Sequence, residues 1–180
     1  MIWGNVHGNP DPMRATQPME PSFTREVRAT DHQAIDTLLA EAFGGPQEAQ
    51  LVRALRDQKA MFREVIMPWG QAAAGYLAVS RFTAPEGWLC LAPVAIHPAW
   101  QRGGRGQFMV QTIVEECVNR LQRSLVVLGE DEFYRRCGFH ATRAARLNTP
   151  YGTQNTLLAA PGTDVPSETL IYPQPFAALG

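Results

Sequence analysis

The residues best suited to chemistry lie in the run Gln101-Arg102-Gly103-Gly104-Arg105-Gly106. Glycines at 103, 104 and 106 remove Cβ atoms, so an anion can approach the backbone amides closely. Arg102 and Arg105 offer charge-assisted contacts to phosphate oxygens. A helical pattern starts at Gly106, and a helix start presents amides without intrahelical partners at its positive dipole end. Pyrophosphate is the natural guest for such a turn. A glycine-rich connection that merely leads a strand into a helix would account for the same glycines. Two other phosphate motifs fail here. A Walker A loop needs Gly-Lys followed by Ser or Thr, and a dinucleotide fingerprint needs a third glycine where Met109 stands.

A second reactive group is Glu130-Asp131-Glu132 with Tyr134 close behind. The carboxylates are candidate bases, and Asp131 and Glu132 read equally as the acidic first turn of a helix. His97 ends a strand. Cys90, Cys117 and Cys137 form no CxxC pair, which gives neither a disulfide framework nor a zinc-ligand spacing. They read as reduced core thiols of a cytoplasmic protein.

These residues need elements to position them. Trp88 to His97 is almost continuously apolar and predicts a central strand buried on both faces. From Gly106, Val110, Ile113, Val114, Cys117, Val118 and Leu121 recur at helical spacing. Ser124 to Leu128 predicts a short buried strand, and Glu132 to Cys137 a helix stopped by Gly138. Upstream, Phe23 to Arg28 reads as a strand. Thr30-Asp31 supplies an N-cap for a helix carrying Ile35, Leu38, Leu39, Ala42 and Phe43, and Gln47 to Arg56 as a second helix. Phe62 to Met67 and Ala72 to Arg81 predict an antiparallel pair around Pro68-Trp69-Gly70. Phe139 to Arg143 and Thr153 to Ala159 predict a closing hairpin, and the tail an irregular strap held by Leu170, Ile171, Tyr172 and Phe176. Residues 1–22, rich in Pro and Gly, read as a flexible or irregular N-terminal arm. The order of elements indicates one mixed α/β domain.

A net charge of −1, with mixed signs along the chain, disfavours a nucleic-acid partner. No apolar stretch reaches the ~18 residues of a membrane span, and no signal-peptide pattern opens the chain. The expected setting is the cytoplasm, without membrane.

The loop resembles the acetyl-CoA-binding motif of the GNAT acetyltransferases, Q/R-x-x-G-x-G/A, with Gln101, Gly104 and Gly106 at its defined positions. Leu128-Gly129-Glu130-Asp131-Glu132-Phe133-Tyr134-Arg135-Arg136-Cys137-Gly138-Phe139 is similar to the L-G-D-x-x-Y-Y-x-R-F-G-F signature of a bacterial subfamily. Glu130, Phe133 and Cys137 depart from it. The likeness covers roughly residues 23 to 178, with a tyrosine-proline element at Tyr172-Pro173. It implies a GNAT-like fold of class α/β (α+β), a mostly antiparallel sheet flanked by helices, in which a splayed central strand pair forms the CoA cleft. It also implies acetyl-CoA as cosubstrate and no metal. Backbone groups of Val94, Ala95 and Ile96 would hold the pantetheine arm, residues 101–106 the pyrophosphate, and Tyr134 would protonate the leaving thiol. Glu130 leads the candidate bases, with Asp131, Glu132 and His97 still open. The implied reaction is direct acetyl transfer to a primary amine of unspecified type in a ternary complex. An idle acyl-CoA sensor or scaffold would keep the same loop. Homodimers are common in the family.

Overall fold

The structure is a computed structural model that describes residues 20–179. Most of the expected N-terminal arm, residues 1–19, lies outside them. One six-stranded sheet runs in the order β1-β2-β3-β4-β5-β6. Its strands are β1 (Arg25–Glu26), β2 (Met61–Trp69), β3 (Ala72–Arg81), β4 (Leu89–Ile96), β5 (Leu125–Leu128) and β6 (Thr156–Ala159). All neighbours pair antiparallel except β4 with β5, which run parallel. Helices α1 (His32–Phe43) and α2 (Gln47–Asp57) precede β2. Helix α3 (Arg105–Val114) continues as a π-helical segment, Glu115–Arg120, and makes the crossover between the parallel strands. Short helices α4 (Asp131–Arg136) and α5 (Ala141–Ala144) lie between β5 and β6. No helix of the described residues is long and apolar enough to cross a membrane.

Strand alternation builds a core on each face of the sheet. Leu89 and Leu91 of β4 face α3, packing with Met109, Val110 and Ile113. Cys90, between them, faces the other way, toward Leu51 and Leu55 of α2. Close approach of α3 depends on Gly75 of β3. A Cβ there would lie 2.7 Å from Met109 Sδ and 2.9 Å from Ile96 Cδ1.

The central strand is interrupted where function needs it. Val79 pairs with Leu91, but Leu77 pairs with Val94, so β4 carries one extra residue at Ala92–Pro93. That bulge resets the alternation, and Val94 and Ile96 pack on the α3 face while Ala95 packs against α1. Pairing with β5 ends at the same place, at Leu91 with Val127. Beyond it β4 runs on to Ile96 with β3 alone, and the two parallel strands part.

Three expectations need correction. Phe139 to Arg143 is not a strand: His140 makes one rung with Leu158, and Ala141–Ala144 then coils as α5. The turn points Arg143 at the carbonyls of Ala160 (2.6 Å), Pro161 (3.0 Å) and Asp164 (3.1 Å), contacts an extended segment would forgo. Asp31 precedes α1 but does not cap it. Its carboxylate instead accepts from the Arg28 amide (2.7 Å) and from both Arg25 guanidinium nitrogens (2.7 and 2.8 Å). Finally, the tail strap buries Leu170 and Phe176 but leaves Ile171 exposed, because Ile171 serves through its backbone. Its amide donates to Ala84 and its carbonyl accepts from Thr83, both at 2.8 Å.

Candidate active site

The parting of β4 from β5 opens a cleft of about 920 Å³ on the α3 face. Val94 and Ile96 form its floor, Gln101, Arg102, Gly104, Gly106 and Gln107 one end, and Glu130, Phe133, Tyr134 and Arg136 of the α4 region the far wall. The floor is a strand edge. Past the bulge the strand pairs with β3 alone, which leaves backbone groups of Val94 and Ala95 on the cleft side for a guest.

At the loop, Arg102 and Gly104 take left-handed φ values of 65° and 76°. This folds the chain back on itself just before α3. The first intrahelical bond runs from the Phe108 amide to the Gly104 carbonyl (2.9 Å), so the amides of residues 105 to 107 precede it. No side chain caps them. The side-chain amide of Gln101 donates to the Ile96 carbonyl (3.0 Å), tying the loop to the end of the strand. Gly106 is hemmed in: a Cβ would sit 3.3 Å from Ile96 Cγ1 and 3.6 Å from Phe133 Cζ. Bare amides, a dipole end and the exposed Arg102 make an anion seat opening into the cleft.

The two arginines of the loop part company. Arg102 lines the cleft, whereas Arg105 points away from it. Its guanidinium lies 5.0 Å from the centre of the Trp100 ring, pairs with Glu20 and donates to the Pro21 carbonyl (3.4 Å). Gly103 borders that second, shallower hollow with Arg105. Ala95 likewise turns its side chain to the α1 face, so only its backbone is available to the cleft edge.

Tyr134 stands on the far wall, edge-on to Phe133 (centroids 5.0 Å apart) and Phe139 (5.6 Å). Its ring occupies the space over Gly129, where a Cβ would lie 2.8 Å from Cδ2. Burial, followed by the charges that Cys137, Cys90 and Glu130 can carry, pushes its phenol up to about 12. Among the described residues nothing accepts a hydrogen bond from it. The group is a protonated donor facing the cleft at neutral pH.

Of the candidate bases, Glu130 alone borders the cleft, as an exposed side chain at the start of α4. Asp131 and Glu132 turn to Arg135 (4.0 Å) and Arg136 (3.3 Å) along the helix surface. His97 faces a hollow on the opposite side of the sheet, with Nε2 3.4 Å from Glu41 and Nδ1 accepting from the Ala99 amide (3.2 Å). The three cysteines are buried and free. Burial raises each thiol, Cys90 and Cys117 to about 12, which leaves no ready nucleophile among them.

Sequence reasoning did not single out Gln107, Phe133 and Arg136 as cleft residues, nor Gly129 as the space for the tyrosine ring. Arg136 carried a faint signal as the arginine of the second motif. The others become neighbours only when α4 docks beside α3.

An acetyltransferase (GNAT) domain model matches residues 51–141, from α2 through the loop to the start of α5. No curated protein matches the chain. Among solved structures, a GNAT family N-acetyltransferase of Escherichia coli, YhbS, in complex with CoA, is similar with a TM-score of 0.78. It is 22% identical, over 92% of this chain and 97% of that one. A GNAT family acetyltransferase from Brucella melitensis, in complex with acetyl-CoA, has a TM-score of 0.71 and 26% identity over 86% of this chain and 97% of that one. The ribosomal-protein-S18-alanine N-acetyltransferase of E. coli is more distant, with a TM-score of 0.55 and 16% identity over 76% and 90%. The family model spans just over half of the residues and takes in the parted strands, the glycine loop and Tyr134, so the chain belongs to the GNAT acetyltransferase family.

Proposed function

We propose that this protein is an acetyl-CoA-dependent N-acetyltransferase of the cytoplasm, which moves an acetyl group to a primary amine by direct attack in a ternary complex. The observation that carries this reading is the coincidence of three features in one cleft: a free edge on β4, an anion seat at its end and a protonated phenol on its wall. The diphosphate of acetyl-CoA sits on the amides of residues 104 to 107, with Arg102 and Arg136 flanking it. Arg105 belongs to this group only if its contact with Glu20 opens. The amide-bearing pantetheine arm lies along Val94, Ala95 and Ile96 as an added strand, exchanging hydrogen bonds with the free edge. This directs the thioester toward the bulge and Tyr134.

During attack, the amine nitrogen bonds to the carbonyl carbon, the C–S bond breaks and its electron pair goes to sulfur. The proton lost by nitrogen ends on that sulfur. A thiol pKa near ~8.5 makes CoA a fair leaving group, and handing it a proton from a phenol at about 12 is uphill by roughly 5 kcal/mol. Tyr134 therefore acts first through a hydrogen bond that strengthens as charge gathers on sulfur, and transfers its proton late. Glu130, on the same cleft, is the candidate base.

Thiol release followed with acetyl-CoA and amine varied together tests the mechanism. Intersecting double-reciprocal lines are expected. Parallel lines would indicate a covalent acetyl-enzyme instead, and tight acetyl-CoA binding with no transfer to any amine would favour a sensor.

A further inference from the structure

The hollow that His97 faces has a volume of about 690 Å³ and lies on the α1 side of the sheet. Gln33, Thr37 and Glu41 line it from one stripe of α1, four residues apart, and the β2–β3 turn closes it from Trp69 to Ala72. It sits at the loop end of β4, away from the place where β4 and β5 part. His97 lies four residues past Pro93 of the bulge, roughly 13 Å along the strand at ~3.3 Å per residue.

The charge in this hollow is unbalanced. Glu41 stands in the last turn of α1, at the negative end of the helix dipole, and that turn carries no basic residue. Its one ion-pair partner among the described residues is His97, with Nε2 at 3.4 Å. Yet His97 Nδ1 accepts from the Ala99 amide (3.2 Å), which the ring does as its neutral tautomer. No Lys or Arg lines the hollow. A carboxylate is therefore held where the helix disfavours it and nothing else neutralises it.

The rest of the lining also asks for a donor. The Thr37 hydroxyl spends its proton on the Gln33 carbonyl (3.0 Å), so toward a ligand it can only accept. Beside these acceptors the surface is apolar, with Ala34, Leu38 and Ala73. The Trp69 indole N–H is buried away from solvent, so its ring offers the hollow carbon surface.

We propose that this hollow is a binding site for a primary ammonium with an apolar body and no carboxylate. Its –NH3+ lies between Glu41 and the Thr37 hydroxyl, neighbours one turn apart, and its body covers Leu38, Ala73 and Trp69. An amino acid or other anion finds no cation there to offset its desolvation. The ligand is held and not acetylated, because a nitrogen at Glu41 is remote from the bulge toward which the CoA cleft directs a thioester.

Calorimetry on the full chain at neutral pH, without acetyl-CoA, tests this with phenethylamine as the probe. Phenylalanine adds a carboxylate to it, and 3-phenylpropionate replaces the ammonium by one. Phenethylamine should bind, phenylalanine at least tenfold more weakly and 3-phenylpropionate not at all. Glu41→Gln should weaken phenethylamine about tenfold, the loss expected of one charge-assisted contact. Thr37→Trp, which fills the hollow from an exposed position, should weaken it at least as much. Both variants should keep the parental acetyl-CoA Kd, since neither residue lines the CoA cleft. No binding of phenethylamine, an affinity that both variants leave unaltered, or equal binding of 3-phenylpropionate overturns the proposal. So does a Glu41→Gln variant whose transfer to phenethylamine falls in step with its binding, which would make the hollow the acceptor's own seat. Failure of acetyl-CoA to bind would overturn the acetyl-transfer reading and leave this one standing.

Discussion

The tyrosine on the cleft wall owes its usefulness to a glycine. Nothing in the ring of Tyr134 fixes where its hydroxyl points; the empty space over Gly129 does, since a Cβ there would collide with Cε2 and lie 2.8 Å from Cδ2 of the ring. Two substitutions separate the chemical role from the positioning one. Tyr134→Phe keeps the ring and should cut kcat by about a hundredfold, the lower range for a lost proton donor. The deficit should shrink with thioesters of more acidic thiols, which leave without help. Gly129→Ala keeps the hydroxyl but pushes the ring aside, so it should lower kcat for all thioesters equally. Acetyl-CoA affinity, measured by calorimetry, should survive in both. A Tyr134→Phe enzyme as active as the parent on acetyl-CoA would remove the tyrosine from the mechanism. At this scale the sequence is half readable. The residue types of the loop suggest an anion seat and Tyr134 is singled out only by resemblance, while the placing of Arg102 and Arg105 turns on Glu20, far off in the chain, which holds Arg105 on the other side.

Among elements, the glycine loop and its helix show how much of a site one turn can decide. Gly104 is needed for its φ of 76°, and nothing lies within 4 Å of a Cβ placed there. Gly106 has an ordinary φ but is wedged between Ile96 and Phe133. Gly104→Ala should therefore be a backbone lesion, costing about 1–2 kcal/mol, or roughly 2–8 °C in Tm. Gly106→Val should be a site lesion: its branches displace Phe133 from the cleft wall, and acetyl-CoA affinity should fall by about tenfold or more. Thermal melts with and without acetyl-CoA distinguish the two, because only the second variant should lose ligand protection. Long periodic elements were legible in advance. Strand β4 announced itself by a near-continuous apolar run, and α3 by its spacing. What could not be read was where β4 breaks step. The bulge at Ala92–Pro93 depends on how β3 pairs with the strand, and that pairing leaves no mark in the periodicity of either. The short helix α5 escaped for a similar reason, being set by the reach of Arg143 to three distant carbonyls rather than by its four residues.

At the scale of the molecule, the sheet is packed on both faces and its two parallel strands part at one end. The CoA side is braced by α3. The reverse side rests on α2, whose Leu51 and Leu55 also carry Phe176 of the tail. A polar network pins that helix to the sheet. Arg56 of α2 grips Glu64 of β2 through Nη2 (2.6 Å) and Nε (3.0 Å), and the fully buried Tyr76 of β3 donates to the same carboxylate (2.7 Å). Arg56 and Glu64 are only 16% and 14% exposed, so the pair sits where an orphaned charge is expensive and a matched pair roughly breaks even. Glu64→Leu should accordingly cost about 3 kcal/mol, or ~6–12 °C in Tm, by stranding the Arg56 guanidinium and the Tyr76 hydroxyl together. Adding Arg56→Leu should restore most of the loss, and adding Tyr76→Phe the remainder, since each removes a group left without a partner. A double variant no more stable than the single one would mean that the network contributes net attraction and not merely mutual satisfaction.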